Sequence, residues 1–424
     1  MKHLVVSVAG LGWEDLERAG GETLCGLRFS PSESVFPALT CVAQGTLRTG
    51  LLPCGHGMTS NGYYSKTLQR PLFWEQSSAL VRGNRIWERV RAAGSTVGLF
   101  FFQQSFGEQV DALVSPAPIH LHGGGMVMAN YAQPEGAAEA MRKALGTFPL
   151  WRYWGPLASA KAGDSVLEHF LAMRERYDPD LCFLYLPTLD YEAQRYGPSH
   201  PRSAAAFERF RHELERLVAL AKQCGSEVTV LGEYAIGKTT MAPAFPNRTL
   251  RRHGLFFTRE VRGRLYPDFA ASKAFAMADH EIAHVYVRNP EDVDFVRGIL
   301  LETGEYESAE PACKGGEWAH SSAGELLLLA RQGSWCAYPW WNDSSEAPDW
   351  ATHIDIHNKP GYDPCELFFD RRIPIPPSTC QNASRIGGTH GRRNRVAVAS
   401  TAFAPADTYP ETVRRLQSSF DCLR

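Results

Sequence analysis

No stretch of this 424-residue chain is apolar for long enough to cross a bilayer. The apolar part of the N-terminal segment, from His3 to Val8, is also too short for a secretory signal, so it is expected to form the first buried strand. Paired C-x-x-C spacings are missing among the ten cysteines, and several, such as Cys182, lie inside apolar runs. That pattern excludes a disulfide scaffold and predicts reduced, mostly core thiols in a cytoplasmic protein. Charge of one sign is lacking too. A formal net charge of -2 gives no electrostatic reason to expect a nucleic-acid polymer or an acidic membrane as partner. Internal repeats and low-complexity tracts are absent. The remaining possibility is a globular chain long enough for a large core.

Buried runs alternate with helical patterns. His3–Val8 is followed by a glycine turn and the helical stretch Trp13–Arg18; further buried runs are Val97–Phe102, Leu181–Leu186 and Glu227–Leu231. Between them, Asn84–Ala93, Ala137–Leu145, Ser165–Tyr177 and Arg202–Cys224 carry amphipathic helical periodicity, and Gly123–Gly125 marks a loop. Alternation of this kind predicts an α/β fold, a mostly parallel sheet with helices on both faces. Ligands in such sheets sit beyond the carboxyl ends of the strands, where Ala9, Asp190 and Glu233 fall. From about Met241 to Ser384 the rhythm changes. Strands Ala283–Arg288 and Gly324–Ala330 stand among loops rich in Pro, Gly and Trp, and Arg395–Ser400 then resumes the core. The expected organisation is a core of residues 1–240 and 385–424 with an inserted cap at 241–384.

The most informative stretch runs from Val35 to Tyr64. Pro37 ends an extended run, and Thr40 stands just before a segment, Cys41–Arg48, that can form a helix. A hydroxyl there meets unpaired N–H groups and the positive end of the helix dipole, which suits an N-cap and a nucleophile equally. The glycine-rich stretch that follows returns Asn61 toward the helix start.

The pattern F-P-x-x-T … T-G-x-x-P-x-x-H-G-x-x-x-N, carried by Phe36, Pro37, Thr40, Thr49, Gly50, Pro53, His56, Gly57 and Asn61, resembles the nucleotide pyrophosphatase/phosphodiesterase branch of the alkaline phosphatase superfamily. The resemblance implies an alkaline-phosphatase-like fold and hydrolysis of a phosphodiester or diphosphate bond. It implies a metal-bound nucleophile at Thr40, Asn61 and the Cys41 N–H on a phosphoryl oxygen, and one or two divalent ions (Zn, Mn or Mg). Asp190 to Pro198 looks like the family's D-x-x-x-H-x-x-G-P with Gln194 in place of the histidine, and Gly388-Thr389-His390-Gly391 looks like its G-x-H-G. One metal would thus be left with Asp190, Gln194 and His390. The second site departs further: Ala9 stands where the family has Asp, and Glu233-Tyr234-Ala235-Ile236 where it has D-H-G-M. Of these only Glu233 is a good hard ligand beside Thr40.

Two further clusters are candidate replacements. His280 and His284 share a face in either a helix or a strand, and His353, Asp355 and His357 alternate as on one side of a strand. Lys359 is a candidate phosphate contact or a solvated lysine, as are Arg392 and Arg393, and the tryptophans at 335, 340, 341 and 350 are expected in the core or along a substrate wall. A second function class is a phosphatase-like binding or scaffold protein that has lost catalysis with Ala9, Gln194 and Tyr234. A phosphomonoesterase remains a third reading; a sulfatase is disfavoured because no C/S-x-P-x-R motif surrounds Thr40.

Overall fold

The computed structural model describes residues 1–122, 125–370 and 378–421. Its centre is an eight-stranded sheet in the order Asn130–Gln133, Ala112–Pro116, Val97–Phe100, Leu181–Leu186, His3–Val8, Glu227–Gly232, Arg395–Ser400 and Ser30–Glu33. The run from Ala112–Pro116 to Glu227–Gly232 is parallel, and the outer strands at both ends are antiparallel. Central strands that are buried on both faces need apolar residues throughout. Leu181–Leu186 is accordingly buried at every position, as is His3–Val8, where His3 and Ser7 are the polar exceptions. The long helices Lys161–Tyr177 and Pro201–Cys224 lead directly into the strands Leu181–Leu186 and Glu227–Gly232.

A separate four-stranded antiparallel sheet has the order Ala274–Asp279, Ile282–Val287, Leu326–Ala330 and Tyr306–Pro311. A second apolar cluster, containing Phe275, Val285, Leu328, Trp340 and Trp341, packs on it and also takes in Tyr64 and Phe73. Trp335, Trp340 and Trp341 are buried, so packing is their role here. Arg395–Ser400 then returns to the large sheet. Two expectations fall partly outside the described residues: Gly123 and Gly124 of the glycine loop, and 371–377 of the cap. Among the described residues no helix is long and apolar enough to cross a membrane, and the nine described cysteines are all free.

Local readings were close for the long elements and failed for short polar ones. The 84–93 segment is helical only over Glu88–Ala92. His353–His357 forms no strand, because His353 ends a short 3-10 turn and the chain then turns about Asp355, whose carboxylate accepts from the N–H and side-chain amide of Asn358. His280 lies in neither helix nor strand: it sits at the tight turn joining Ala274–Asp279 to Ile282–Val287, with φ 55°.

Candidate active site

The hollow is organised by the helix Thr40–Thr49. Leu39, in extended conformation, is its N-cap, so Thr40 is the first helical residue rather than the cap. Gly50, at φ 70°, closes the other end in the left-handed conformation that glycine adopts without steric cost. All ten residues of the helix are buried. Gly45 matters for a second reason: a Cβ there would lie 2.7 Å from the His56 ring. His56 accepts from the Met58 N–H through Nδ1, which leaves Nε2 to donate to Thr46 Oγ1 at 3.1 Å. Burial pushes its pKa down to about 3. His56 is thus a neutral brace that fixes the Pro53–Asn61 loop on the helix.

That brace brings Asn61 to the helix start. Asn61 Oδ1 accepts from the Cys41 N–H at 3.1 Å. Its backbone N–H and Nδ2 both donate to Asp279, at 2.7 and 3.1 Å, and Ser60 Oγ donates to the same carboxylate at 2.7 Å. The Cys41 N–H is therefore already engaged, and the second Nδ2 hydrogen is what Asn61 retains for a ligand. Asp279 Oδ1 also holds His280 Nδ1 at 2.8 Å, which assigns the ring proton to Nδ1 and leaves Nε2, buried and without a partner among the described residues, as an acceptor.

Six side chains close a ring around the hollow. The Tyr234 hydroxyl lies 3.2 Å from Thr40 Oγ1 and donates to Asp190 Oδ1 at 2.9 Å. Gln194 Nε2 donates to Asp190 Oδ2 at 2.8 Å, and Tyr362 donates to Gln194 Oε1 at 2.8 Å. Ring stacking completes the circuit. Tyr362 lies on His280 at 4.2 Å, His280 meets His390 at 3.8 Å, and His390 lies flat on Tyr234 at 3.6 Å and 3°. His390 Nδ1 is paired with the Ala38 carbonyl at 2.8 Å, and burial holds its pKa well below the ordinary imidazole value. Desolvation raises the Asp190 pKa against the two hydrogen bonds that lower it.

Thr40, Asn61, Asp190, Gln194, His280 and His390 thus share one hollow, walled by Trp74, Tyr153, Trp154, Tyr185, Tyr191 and Tyr362. Glu233 is not part of its lining. It lies behind the Thr40 helix, with Oε1 accepting from Ser7 Oγ at 2.6 Å and Gln44 Nε2 at 3.0 Å, and desolvation pushes its pKa up to about 8. His284 pairs with the Thr59 carbonyl at 3.1 Å. His353, Asp355 and His357 do not line the hollow either: His353 and His357 pair with the Asp349 and Phe73 carbonyls. Lys359 is buried rather than solvated, held by Asp363 at 2.8 Å and Glu366 at 2.5 Å. Arg392 pairs with Glu281 and Glu307, and Arg393 with Glu33 and Glu317.

The donor set does not fit a divalent cation. The Tyr234 phenol occupies the space between Thr40 and Asp190, Gln194 is tied to Asp190 and Tyr362, and Ala9 offers only a methyl group. Desolvation raises the Glu233 pKa to about 8, which disfavours its charged form. Among the described residues no three His, Cys, Asp or Glu side chains are grouped to hold a metal ion. Sequence reasoning had marked Tyr234 only as a departure and missed Asp279, Tyr362 and Gln44. Gln44 lies one helical turn beyond Thr40, a signal available in the sequence; Asp279 had none, since it is more than two hundred residues from Asn61.

The topology gives an α/β fold with a threonine opening a buried helix beyond the parallel strands, and the class of the protein comes from the family it matches. The family model for type I phosphodiesterase / nucleotide pyrophosphatase matches residues 3–363, and the chain belongs to that family of phosphoester hydrolases. No curated protein matches the chain. Among solved structures it is similar to murine ectonucleotide pyrophosphatase / phosphodiesterase 5, with TM-score 0.60 and 15% identity over 99% of this chain and 95% of that one. An inactive form of the mouse protein in complex with AMP matches at TM-score 0.60, with 14% identity and coverage of 99% and 95%. Phosphonoacetate hydrolase from Sinorhizobium meliloti, in complex with phosphonoformate, gives TM-score 0.63 and 13% identity over 99% and 96%. At these identities the likeness is one of fold.

Proposed function

We propose that this chain hydrolyses phosphodiester or diphosphate bonds of a small molecule, with Thr40 as the nucleophile. The observation that carries the reading is that the Thr40 hydroxyl opens a buried helix and shares one hollow with Asn61, Asp190, His280 and His390. A helix N-terminus favours the negative charge that builds on the phosphoryl group, and the remaining Nδ2 hydrogen of Asn61 adds a donor to a non-bridging oxygen.

The Tyr234 phenol has one hydrogen, which it gives to Asp190, so Thr40 donates to the phenol oxygen. As Thr40 Oγ1 bonds to phosphorus, its proton passes to Tyr234 while the phenol proton moves to Asp190 Oδ1. The ester bond breaks with its electron pair on the departing oxygen, which takes a proton from solvent. Water then attacks phosphorus, giving its proton to His280 Nε2, as the bond from phosphorus to Thr40 Oγ1 breaks and Thr40 takes its proton back from Tyr234, which recovers its own from Asp190. His280 releases its proton to solvent, and Asp279 holds that ring in the required tautomer.

One observation favours a second reading, a binding hollow without turnover. The Asp, Glu, Lys or Arg side chains in its lining are Asp190, Asp363 and Glu366, none of them cationic. Turnover of bis-p-nitrophenyl phosphate by the wild type and by Thr40→Ala separates the two. Hydrolysis that disappears in the variant, with its fold intact by circular dichroism, supports the nucleophile; equal rates remove it, and no hydrolysis by either leaves the binding reading.

A further inference from the structure

We infer that the Thr40 hollow works without a divalent cation, the hydroxyl of Tyr234 serving as the link between Thr40 and Asp190. The inference rests on the phosphoester reading for its kinetic part and on geometry alone for its binding part.

A cation joining a nucleophilic hydroxyl to a carboxylate has to occupy the space between them. Here the phenol already spans that gap, 3.2 Å from Thr40 Oγ1 and 2.9 Å from Asp190 Oδ1, and it supplies a donor to one side and an acceptor to the other. Nothing about it is loosely placed. Tyr234 is 1% exposed, and the His390 ring covers its face in near-parallel contact. Swinging the phenol aside would break that stack and both hydrogen bonds inside a packed interior, where side chains have little free volume. The neighbouring positions agree. Ala9 carries no ligating atom on its side chain, Asp190 Oδ2 accepts from Gln194, and Gln194 is itself pinned by Tyr362. The closed circuit Tyr234–His390–His280–Tyr362–Gln194–Asp190 leaves each member with a partner inside the protein. Tyr234 thus touches the reacting hydroxyl of Thr40 and passes its proton on to Asp190, standing where a cation would otherwise lie.

The test has a binding arm and a kinetic arm on the full chain. Zinc, manganese and magnesium chloride are titrated calorimetrically into the wild type and into a triple variant, Ala9→Asp with Gln194→His and Tyr234→His, which opens the circuit and adds donors. The wild type should show no saturable cation heat, and the triple variant should acquire it. Bis-p-nitrophenyl phosphate turnover by the wild type should be unchanged after chelation. Tyr234→Phe, which keeps the ring stack and removes the hydroxyl, should lower it by roughly 10²–10⁴-fold, the usual worth of positioned proton transfer. Stoichiometric cation uptake by the wild type, turnover lost on chelation, or full activity in Tyr234→Phe would each overturn the inference. A wild type that neither binds cation nor hydrolyses the ester would instead overturn the phosphoester reading and leave the cation result standing.

Discussion

Asp279 ties the inserted sheet to the site, and replacing it by Asn is the sharpest structural test of how the hollow is held. The carboxylate is wholly buried and accepts four hydrogen bonds: from Ser60 Oγ, from the N–H and Nδ2 of Asn61, and from His280 Nδ1. Asparagine keeps the shape but turns one acceptor oxygen into an NH₂ group. Whichever way the amide is placed, one Asn61 donor faces another donor, since only the Ser60 hydroxyl and the His280 ring can reverse their roles. A buried unsatisfied donor costs about 1–3 kcal/mol, so Asp279→Asn should destabilise the fold by roughly that amount. Ser60→Ala, which removes only one neutral partner, should cost about 0.5–1.5 kcal/mol. Urea unfolding at constant pH measures both through the shift in midpoint at unchanged slope. Turnover should fall with the same substitution, because Asn61 and His280 lose their common anchor. A change below about 0.5 kcal/mol, the range of ordinary surface substitutions, would refute the reasoning.

Two other substitutions probe buried charge. Lys359→Met strands Asp363 and Glu366 without their shared cation, and breaking a buried pair of this kind should cost about 3–5 kcal/mol in the same unfolding assay. Glu213, hydrogen-bonded by Thr188 Oγ1 at 2.6 Å, has its pKa raised from 4.5 to about 8, chiefly by desolvation. Its folded-state pKa exceeds the unfolded one, so its contribution is fully present below pH 4.5 and is lost as pH rises toward 8. The total is up to roughly 5 kcal/mol. Glu213→Gln should therefore flatten the decline in melting temperature between pH 5 and pH 8, and an unchanged slope would contradict the assignment. At the substrate level, the absence of Lys and Arg from the described lining should favour monoanionic diesters over dianionic monoesters. Comparing kcat/KM for bis-p-nitrophenyl phosphate and p-nitrophenyl phosphate measures it, and a preference for the monoester would count against the charge argument.

The core of the fold was legible because its signals are periodic and local. Leu181–Leu186 reads as a buried strand from six apolar residues, and the observed strand has those bounds. The helix after Thr40 was equally plain, bounded by Pro37 and Gly50. Convergence of Thr40, Asn61, Asp190, Gln194 and His390 was implied by the family resemblance of their motifs, and the hollow contains all five. Glu233 shows the limit of that reasoning. Its place just after a strand matched a ligand position, but the partners that hold it behind the helix, Ser7 and Gln44, come from elsewhere in the chain. The His353–His357 alternation misled because period two in a short polar stretch carries no burial signal, and a local Asp355–Asn358 turn won over strand pairing. Lys359 misled in the opposite sense: a lysine beside a Pro-Gly turn looks solvated until the two carboxylates that bury it are in place.

The central claim is that the Thr40 oxygen forms a covalent bond to phosphorus. Acid-quenched protein, taken during turnover of bis-p-nitrophenyl phosphate and digested, should yield a phosphoryl-ester adduct on the peptide containing Thr40, absent from Thr40→Ala. Sustained turnover with that peptide unmodified would contradict the account.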